Sequence, residues 1–303
     1  MSVIRLYFIK RLLHNIKAKA KYHNLVGSRR AFERMMNKVA PRLTVKGFSY
    51  KPAIVGGVQC EWIVPDRCDA SKVLVYFHGG GYAAGSPNTH RPQVSHMLKD
   101  VGITCLNVDY RLSPEHKYPA PIEDATAVYQ ALLQQGYKPE NIAFGGDSAG
   151  GGVTLGTLLY LRDNNIPLPN CAIAISPWVD LTMSGDSHQK NKDVDPMLIL
   201  EGFHVWSQHY MGDADPKSPY ASPIFHDLSG LPPIYIQVGE EEMLLDDSVR
   251  FATKAGVDGT EVKLEIFPKL FHVFHGFWLI LPEARAANKK LGEYLKEQLK
   301  PII

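Results

Sequence analysis

Ser148 lies in Gly146-Asp147-Ser148-Ala149-Gly150, which fits G-x-S-x-G. A strand-like run, "NIAFGG" (141–146), leads into it and a helical pattern leads away. A serine flanked by glycines at a strand-to-helix turn can be pushed above a sheet with its Oγ exposed, ready to act as a nucleophile. The following helix aims its free N–H groups at any charge forming beside it. A phosphate-binding loop is the competing reading of a glycine-rich turn, but G-x-x-x-x-G-K-[ST] is absent here. A second glycine run, His78-Gly79-Gly80-Gly81, follows the strand-like "VLVYFH" (73–78). Three consecutive glycines let backbone N–H groups turn inward, as an oxyanion requires.

A serine hydroxyl needs a base. Of the twelve histidines, His272 in "FPKLFHVFHGFW" follows the last strand-like run and is the candidate, with His275 as its rival. The base in turn needs a carboxylate to fix its tautomer. In the chain order Ser…acid…His, that acid follows "PIYIQVG" (233–239), where "VGEEEMLLDDS" (238–248) offers Glu240, Glu241 and Glu242. Asp246 and Asp247 are accounted for as acids at a helix start. His78 is read as support for the glycine loop.

The elements that must position these groups are legible. Apolar runs at 73–78, 103–110, 141–146, 171–176, 233–239 and 262–267 alternate with helical patterns, which predicts a parallel sheet covered on both faces. Runs near 45–50 and 58–64 predict a leading hairpin at its edge. About fifty residues between Ser176 and Leu231 lack a clear strand, too long for an ordinary connection. They are read as a cap insertion, about 180–228, over the carboxyl edge where open α/β sheets bind ligands. Residues 1–44 are assigned as N-terminal cap helices and 45–303 as the catalytic domain. Met197, Leu198, Phe203, Phe271 and Phe274 are candidates to line a substrate pocket.

Bulk properties exclude little but set the class. The chain has 303 residues, 45% apolar and 21% charged, with a net charge of +2 that gives no sign of a nucleic-acid partner. Four scattered cysteines form no CxxC pair, which favours free thiols and a reducing, cytoplasmic setting. No apolar run reaches the ~18 residues of a membrane span. The N-terminus is basic, and Val3, Ile4, Tyr7, Phe8, Leu12 and Leu13 recur at helical spacing. The expected arrangement is a helix packed on the body with its Lys/Arg face in water; the sharper alternative is weak adhesion to an anionic membrane surface.

Together "HGGGY", "DYRLSPEHKYPAPIEDA" (109–125), "GDSAGGG", "SPWVDL" and "VGEEEMLLDDS…FHVFHGF" resemble the hormone-sensitive-lipase-like carboxylesterases of the GDSAG branch, from about Val45 to the C-terminus. The resemblance implies an α/β-hydrolase fold, with a mostly parallel eight-stranded sheet flanked by helices under a helical cap. It implies Ser148 as nucleophile, His272 as base, and the N–H groups of Gly80, Gly81 and Ala149 as the oxyanion hole. The family acid sits two residues after the strand-ending glycine and is usually Asp; here that position is Glu241, one methylene longer. Asp109, Arg111 and Glu115 are read as a structural charge network. The implied activity is hydrolysis of small-molecule esters with short to medium acyl chains, with no metal or organic cofactor, and a homodimer through the last strand and C-terminal helix by family analogy. Amidase or deacetylase chemistry is the alternative within enzymes. A non-hydrolytic ligand receptor of the same fold is the alternative outside them, but those receptors lack the catalytic histidine.

Overall fold

The computed structural model describes residues 3–19, 24–43 and 45–302. The chain opens with α1 (Val3–Lys17) and α2 (Leu25–Val39), then a hairpin of β1 (Phe48–Val55) and β2 (Val58–Pro65). Gly56 and Gly57, both at positive φ, make the two-residue turn that matches strand twist. The expected first strand, near 45–50, starts later and runs through Pro52 to Val55. Pro52 is tolerated there because β1 is an edge strand with one neighbour only.

The α/β repeat follows: β3 (Asp69–Phe77), α3 (Pro87–Met97), β4 (Ile103–Val108), α4 (Ala120–Gln134), β5 (Ile142–Asp147), α5 (Ala149–Asp163) and β6 (Cys171–Ile175). After α6 (Ser187–Lys190) and α7 (Leu200–Met211) come β7 (Ile234–Gly239), α8 (Leu245–Val257), β8 (Val262–Phe267) and α9 (Pro282–Leu299). The eight strands form one sheet in the order β1-β2-β4-β3-β5-β6-β7-β8. Only the β1–β2 and β2–β4 pairs are antiparallel.

Near-continuous apolar strands are what a sheet covered on both faces demands. Val73, Val75 and Phe77 of β3 join the core beneath α4 and α5, whereas Leu74 and Tyr76 join the one beneath α3 and α9. Phe144 of β5 meets Phe77 and Tyr129 edge-on, at 5.6 and 5.1 Å between centroids. Burying such a ring contributes about 1.5–3 kcal/mol. Because β4 lies on one side of β3 and β5 on the other, the strand order reverses between β3 and β5. Loops after those two strands therefore splay apart and open a crevice at the carboxyl edge.

The N-terminal helix differs from its expected orientation. Leu6 and Ile9 are buried, with Leu13 beside them, against Phe267, Leu270, Phe271, Phe274 and Leu281. Lys10 and Lys17 also turn toward the body: Lys10 pairs with Glu241, and Lys17 Nζ donates to the Lys192 and Asp195 carbonyls at 2.7 Å each. Ile4, Tyr7, Phe8, Leu12 and Ile16 are left exposed. Two lysines find acceptors on the body, which draws their side of the helix inward and rotates most of the apolar stripe out.

Candidate active site

Ser148 follows β5 and precedes α5 with φ 54°, ψ −121°, a conformation that L residues avoid. Three backbone hydrogen bonds fix it: its N–H to the Ile175 carbonyl, and its carbonyl accepting from Trp178 N–H and Gly152 N–H. The turn is tight enough that a Cβ on Gly150 would sit 2.0 Å from the Phe77 carbonyl oxygen, so only glycine fits there. The strain, of order 1–3 kcal/mol, lifts Oγ over the sheet to 2.9 Å from His272 Nε2.

His272 lies on the loop after β8, where Val273 at φ 46° turns the chain back toward the sheet. Its Nδ1 is 2.7 Å from Glu242 Oε2. Glu242 is fully buried, and its other oxygen accepts from Ser176 Oγ at 2.8 Å and from Gly239 N–H. Ser176 Oγ also accepts from Val273 N–H at 3.3 Å, so one hydroxyl ties the acid to the histidine loop. Burial pushes the Glu242 carboxyl above its usual range, despite the bonds it accepts. Burial likewise opposes charge on His272, but the hydrogen bond and charge of Glu242 outweigh it and hold the imidazole above its ordinary value. An Nδ1–H donating to Glu242 leaves the Nε2 lone pair facing the serine hydroxyl.

The expectation for Glu241 is thereby corrected. Past Gly239 the chain stays alongside the β8 loop for two more residues, Glu240 N–H bonding the Phe267 carbonyl and Glu241 N–H the Leu270 carbonyl. Glu240 accepts from Lys269 N–H, Glu241 turns outward to Lys10, and only the third glutamate turns inward. Residues 240–242 form a turn beyond the strand, and that turn carries the third carboxyl back over Gly239, whose N–H it accepts. His275 is excluded from this arrangement because its Nε2 bonds the Gln237 amide oxygen at 2.8 Å beneath the site, and burial presses its pKa down to about 3.

Gly80, at φ 127°, and Gly81, at φ 62°, follow β3, and the built turn brings the Ala83 and Ala84 N–H groups onto the Gly80 carbonyl. Among the described residues, the N–H groups of Gly80, Gly81 and Ala149 have no acceptor. Asp147, buried at the end of β5, accepts from Gly79 N–H at 3.1 Å and Tyr76 Oη at 2.8 Å, which pins the glycine loop to the serine turn. His78 Nδ1 bonds the Gly79 carbonyl at 2.9 Å and its ring stacks on Tyr110. Neither Asp147 nor Ser176 was singled out from the sequence as a positioning group.

Other candidates are distributed differently. Phe203, Phe271 and Phe274 are spent in core packing, Leu198 is buried and Met197 is partly exposed. Trp206, one turn along α7 from Phe203, rests its indole on Gly81, where an added Cβ would come within 2.8 Å. Asp195 accepts from Met197, Leu198 and Met243 N–H groups and so couples the β6–β7 segment to the acid loop. Asp247 does more than start α8: it bonds His188 Nε2 at 2.9 Å and the Val179 and Asp180 N–H groups. Arg111 pairs with Asp124 and Glu123, while Glu115 pairs with Arg29 of α2, so the expected Asp109–Arg111–Glu115 network divides in two. All four cysteines are free thiols. Among the described residues no three His, Cys, Asp or Glu side chains converge as metal ligands would, and no helix is long and apolar enough to cross a membrane.

Residues 74–276 match a family described by the alpha/beta hydrolase fold. An acetyl-hydrolase of Streptomyces hygroscopicus is 42% identical over 242 residues, covering 80% of this chain and 81% of its own. An esterase of Acinetobacter venetianus is 37% identical over 80% of each chain. Among solved structures, an esterase of the bacterial hormone-sensitive lipase family superposes with a TM-score of 0.93 at 37% identity over 99% of both chains. An esterase/lipase from an uncultured bacterium gives 0.90 at 40% identity, over 98% of this chain and 99% of its own. The chain belongs to the hormone-sensitive-lipase-like carboxylesterases of the α/β-hydrolase superfamily and is a carboxylic ester hydrolase.

Proposed function

We propose that the protein hydrolyses short- to medium-chain acyl esters through a Ser148–His272–Glu242 triad and an acyl-enzyme. The observation that carries this reading is the unbroken, buried line from Ser148 Oγ through both ring nitrogens of His272 to Glu242, at 2.9 and 2.7 Å. His272 Nε2 takes the hydroxyl proton as Oγ attacks the ester carbonyl. Negative charge gathers on the carbonyl oxygen, which accepts from the unpartnered N–H groups of Gly80, Gly81 and Ala149. Glu242 stabilises the imidazolium without itself taking the proton. The imidazolium then protonates the departing alkoxide, leaving the acyl group on Oγ. Water, deprotonated by the same nitrogen, attacks the acyl carbonyl; collapse releases the carboxylic acid and returns the proton to Ser148.

The indole of Trp206 over Gly81 supports a short acyl preference by closing the space above the oxyanion loop, and the acetyl-hydrolase relative supports a small acyl group. The test compares Ser148→Ala with wild type on a p-nitrophenyl butyrate series, alongside the matching anilide. Loss of ester turnover in a folded Ser148→Ala protein, and wild-type rates far higher on ester than on anilide, are expected. Undiminished ester turnover in Ser148→Ala would overturn the triad, and equal rates on ester and anilide would add amidase chemistry to the ester hydrolysis.

A further inference from the structure

The outward face of α1 is unusual for a solvated helix. Ile4, Phe8, Leu12 and Ile16 follow one another at four-residue intervals, with Tyr7 beside them, and each is 58–69% exposed. Within the same face stand Arg5 and Arg11, both exposed and with no ion pair among the described residues. The charge around them is one-sided. Residues 1–46 contain twelve Lys and Arg against one acid, Glu33, although the whole chain carries 33 basic and 31 acidic side chains. Arg30, Arg34 and Lys38 of α2 are likewise exposed, again without ion pairs among the described residues. Glu33, the one acid, accepts from Ser86 Oγ.

We propose that this N-terminal segment docks the protein on an anionic lipid surface, with the apolar face of α1 in the headgroup boundary and the arginines on lipid phosphates. A helix lies in an interface when it has an apolar face, basic flanks and too little total hydrophobicity to span. Surface potential then adds attraction for each basic side chain within a screening length. A second copy of the chain is the other occupant to consider, but pairing two such faces would bring Arg5 and Arg11 of one copy against those of the other. Charge complementarity therefore selects the anionic surface. The helix also stands over the site: its inner side packs on Phe271 and Phe274, which flank His272, and Lys10 holds the residue preceding Glu242. Docking would thus bring esters dissolved in a bilayer next to the histidine loop.

The test is flotation of the full chain with vesicles of phosphatidylcholine alone or of equal parts phosphatidylcholine and phosphatidylglycerol. The expected result is at least about tenfold more protein on the anionic vesicles, lost near 1 M salt, where the screening length falls to about 3 Å. Phe8→Ser with Leu12→Ser and Ile16→Ser, and separately Arg5→Glu with Arg11→Glu, should each abolish the anionic preference. Both sets leave Leu6, Ile9, Lys10 and Leu13 in place, so thermal melting and hydrolysis of a water-soluble ester should be unchanged. Failure of the esterase reading would appear only in that last assay. Absence of binding, equal binding to both vesicles, or wild-type binding by either variant would overturn the proposal. So would a wild-type dimer in light scattering that the triple serine variant converts to monomer, which would give the face to a second copy.

Discussion

Replacing Glu242 by Gln changes one oxygen for an amide nitrogen in a site where every contact is specified. The carboxylate accepts from His272 Nδ1, Ser176 Oγ and Gly239 N–H. An amide oxygen can satisfy Ser176 and Gly239, but its NH₂ then faces Nδ1, and two donors cannot share that position. The imidazole escapes by shifting its proton to Nε2, which turns a donor toward Ser148 Oγ and removes the base. In the well-studied serine-protease triad the equivalent mis-set tautomer costs about 10⁴ in kcat, or roughly 5.5 kcal/mol of barrier. Glu241→Gln removes only a partly exposed pair with Lys10, worth about 0–1 kcal/mol in stability, and leaves the imidazole untouched. The assay is kcat and KM on p-nitrophenyl butyrate from pH 5 to 9. Glu242→Gln should lose at least about a thousandfold in kcat with little change in KM, and Glu241→Gln should stay within about threefold. The residual activity of Glu242→Gln should also have its acid limb at lower pH. Wild-type His272 is held above its ordinary value by Glu242, and burial alone would depress it. Comparable losses in both variants, or a large loss in Glu241→Gln alone, would refute the placement of the inward-turning glutamate.

Three further outcomes follow from the same geometry. Trp206→Ala opens the space over Gly81 and should shift the preferred acyl chain upward, gaining about 0.8 kcal/mol, or three- to fourfold in kcat/KM, per added methylene; an unchanged chain-length profile would place the acyl pocket elsewhere. Acid stability should fall because His78 and His275 are buried with pKa values pressed down to about 3. Between the ordinary imidazole value near 6.5 and about 3, the unfolded chain binds these protons and the folded one does not, so each site costs about 1.4 kcal/mol per unit as pH falls. His275→Gln should flatten the decline in unfolding free energy over this window by that amount, read by urea titration at a series of pH values; an unchanged slope would contradict the depressed value.

Much of this site was legible because its parts are local. G-x-S-x-G between a strand and a helix fixes a turn type, and a triple glycine after a strand fixes a loop, so Ser148 and the glycine run could be found without tertiary information. The inner strands β4 to β7 are legible because their apolar runs are buried on both faces; the half-exposed edge strand β1 starts later than its expected position because Pro52 reads as a break and only edge position excuses it. The acid was harder. Glu240, Glu241 and Glu242 differ in nothing a local pattern sees, and the choice depends on two carbonyls, of Phe267 and Leu270, that lie on another strand and its loop. The orientation of α1 was missed for a similar reason. Its inward face is set by acceptors for Lys10 and Lys17 at Glu241, Lys192 and Asp195, about 175 residues or more away in sequence. Aromatic residues near His272 look like pocket walls in a sequence, whereas Phe271 and Phe274 point into the layer beneath α1.

If Ser148 carries the acyl group between two half-reactions, mass spectrometry of the protein quenched in acid during turnover of p-nitrophenyl butyrate will catch it there. A transient butyryl adduct on the peptide containing Ser148, absent in Ser148→Ala and accumulating with the p-nitrophenol burst, is the expected result. An adduct on another residue, or hydrolysis that persists in Ser148→Ala, would contradict it.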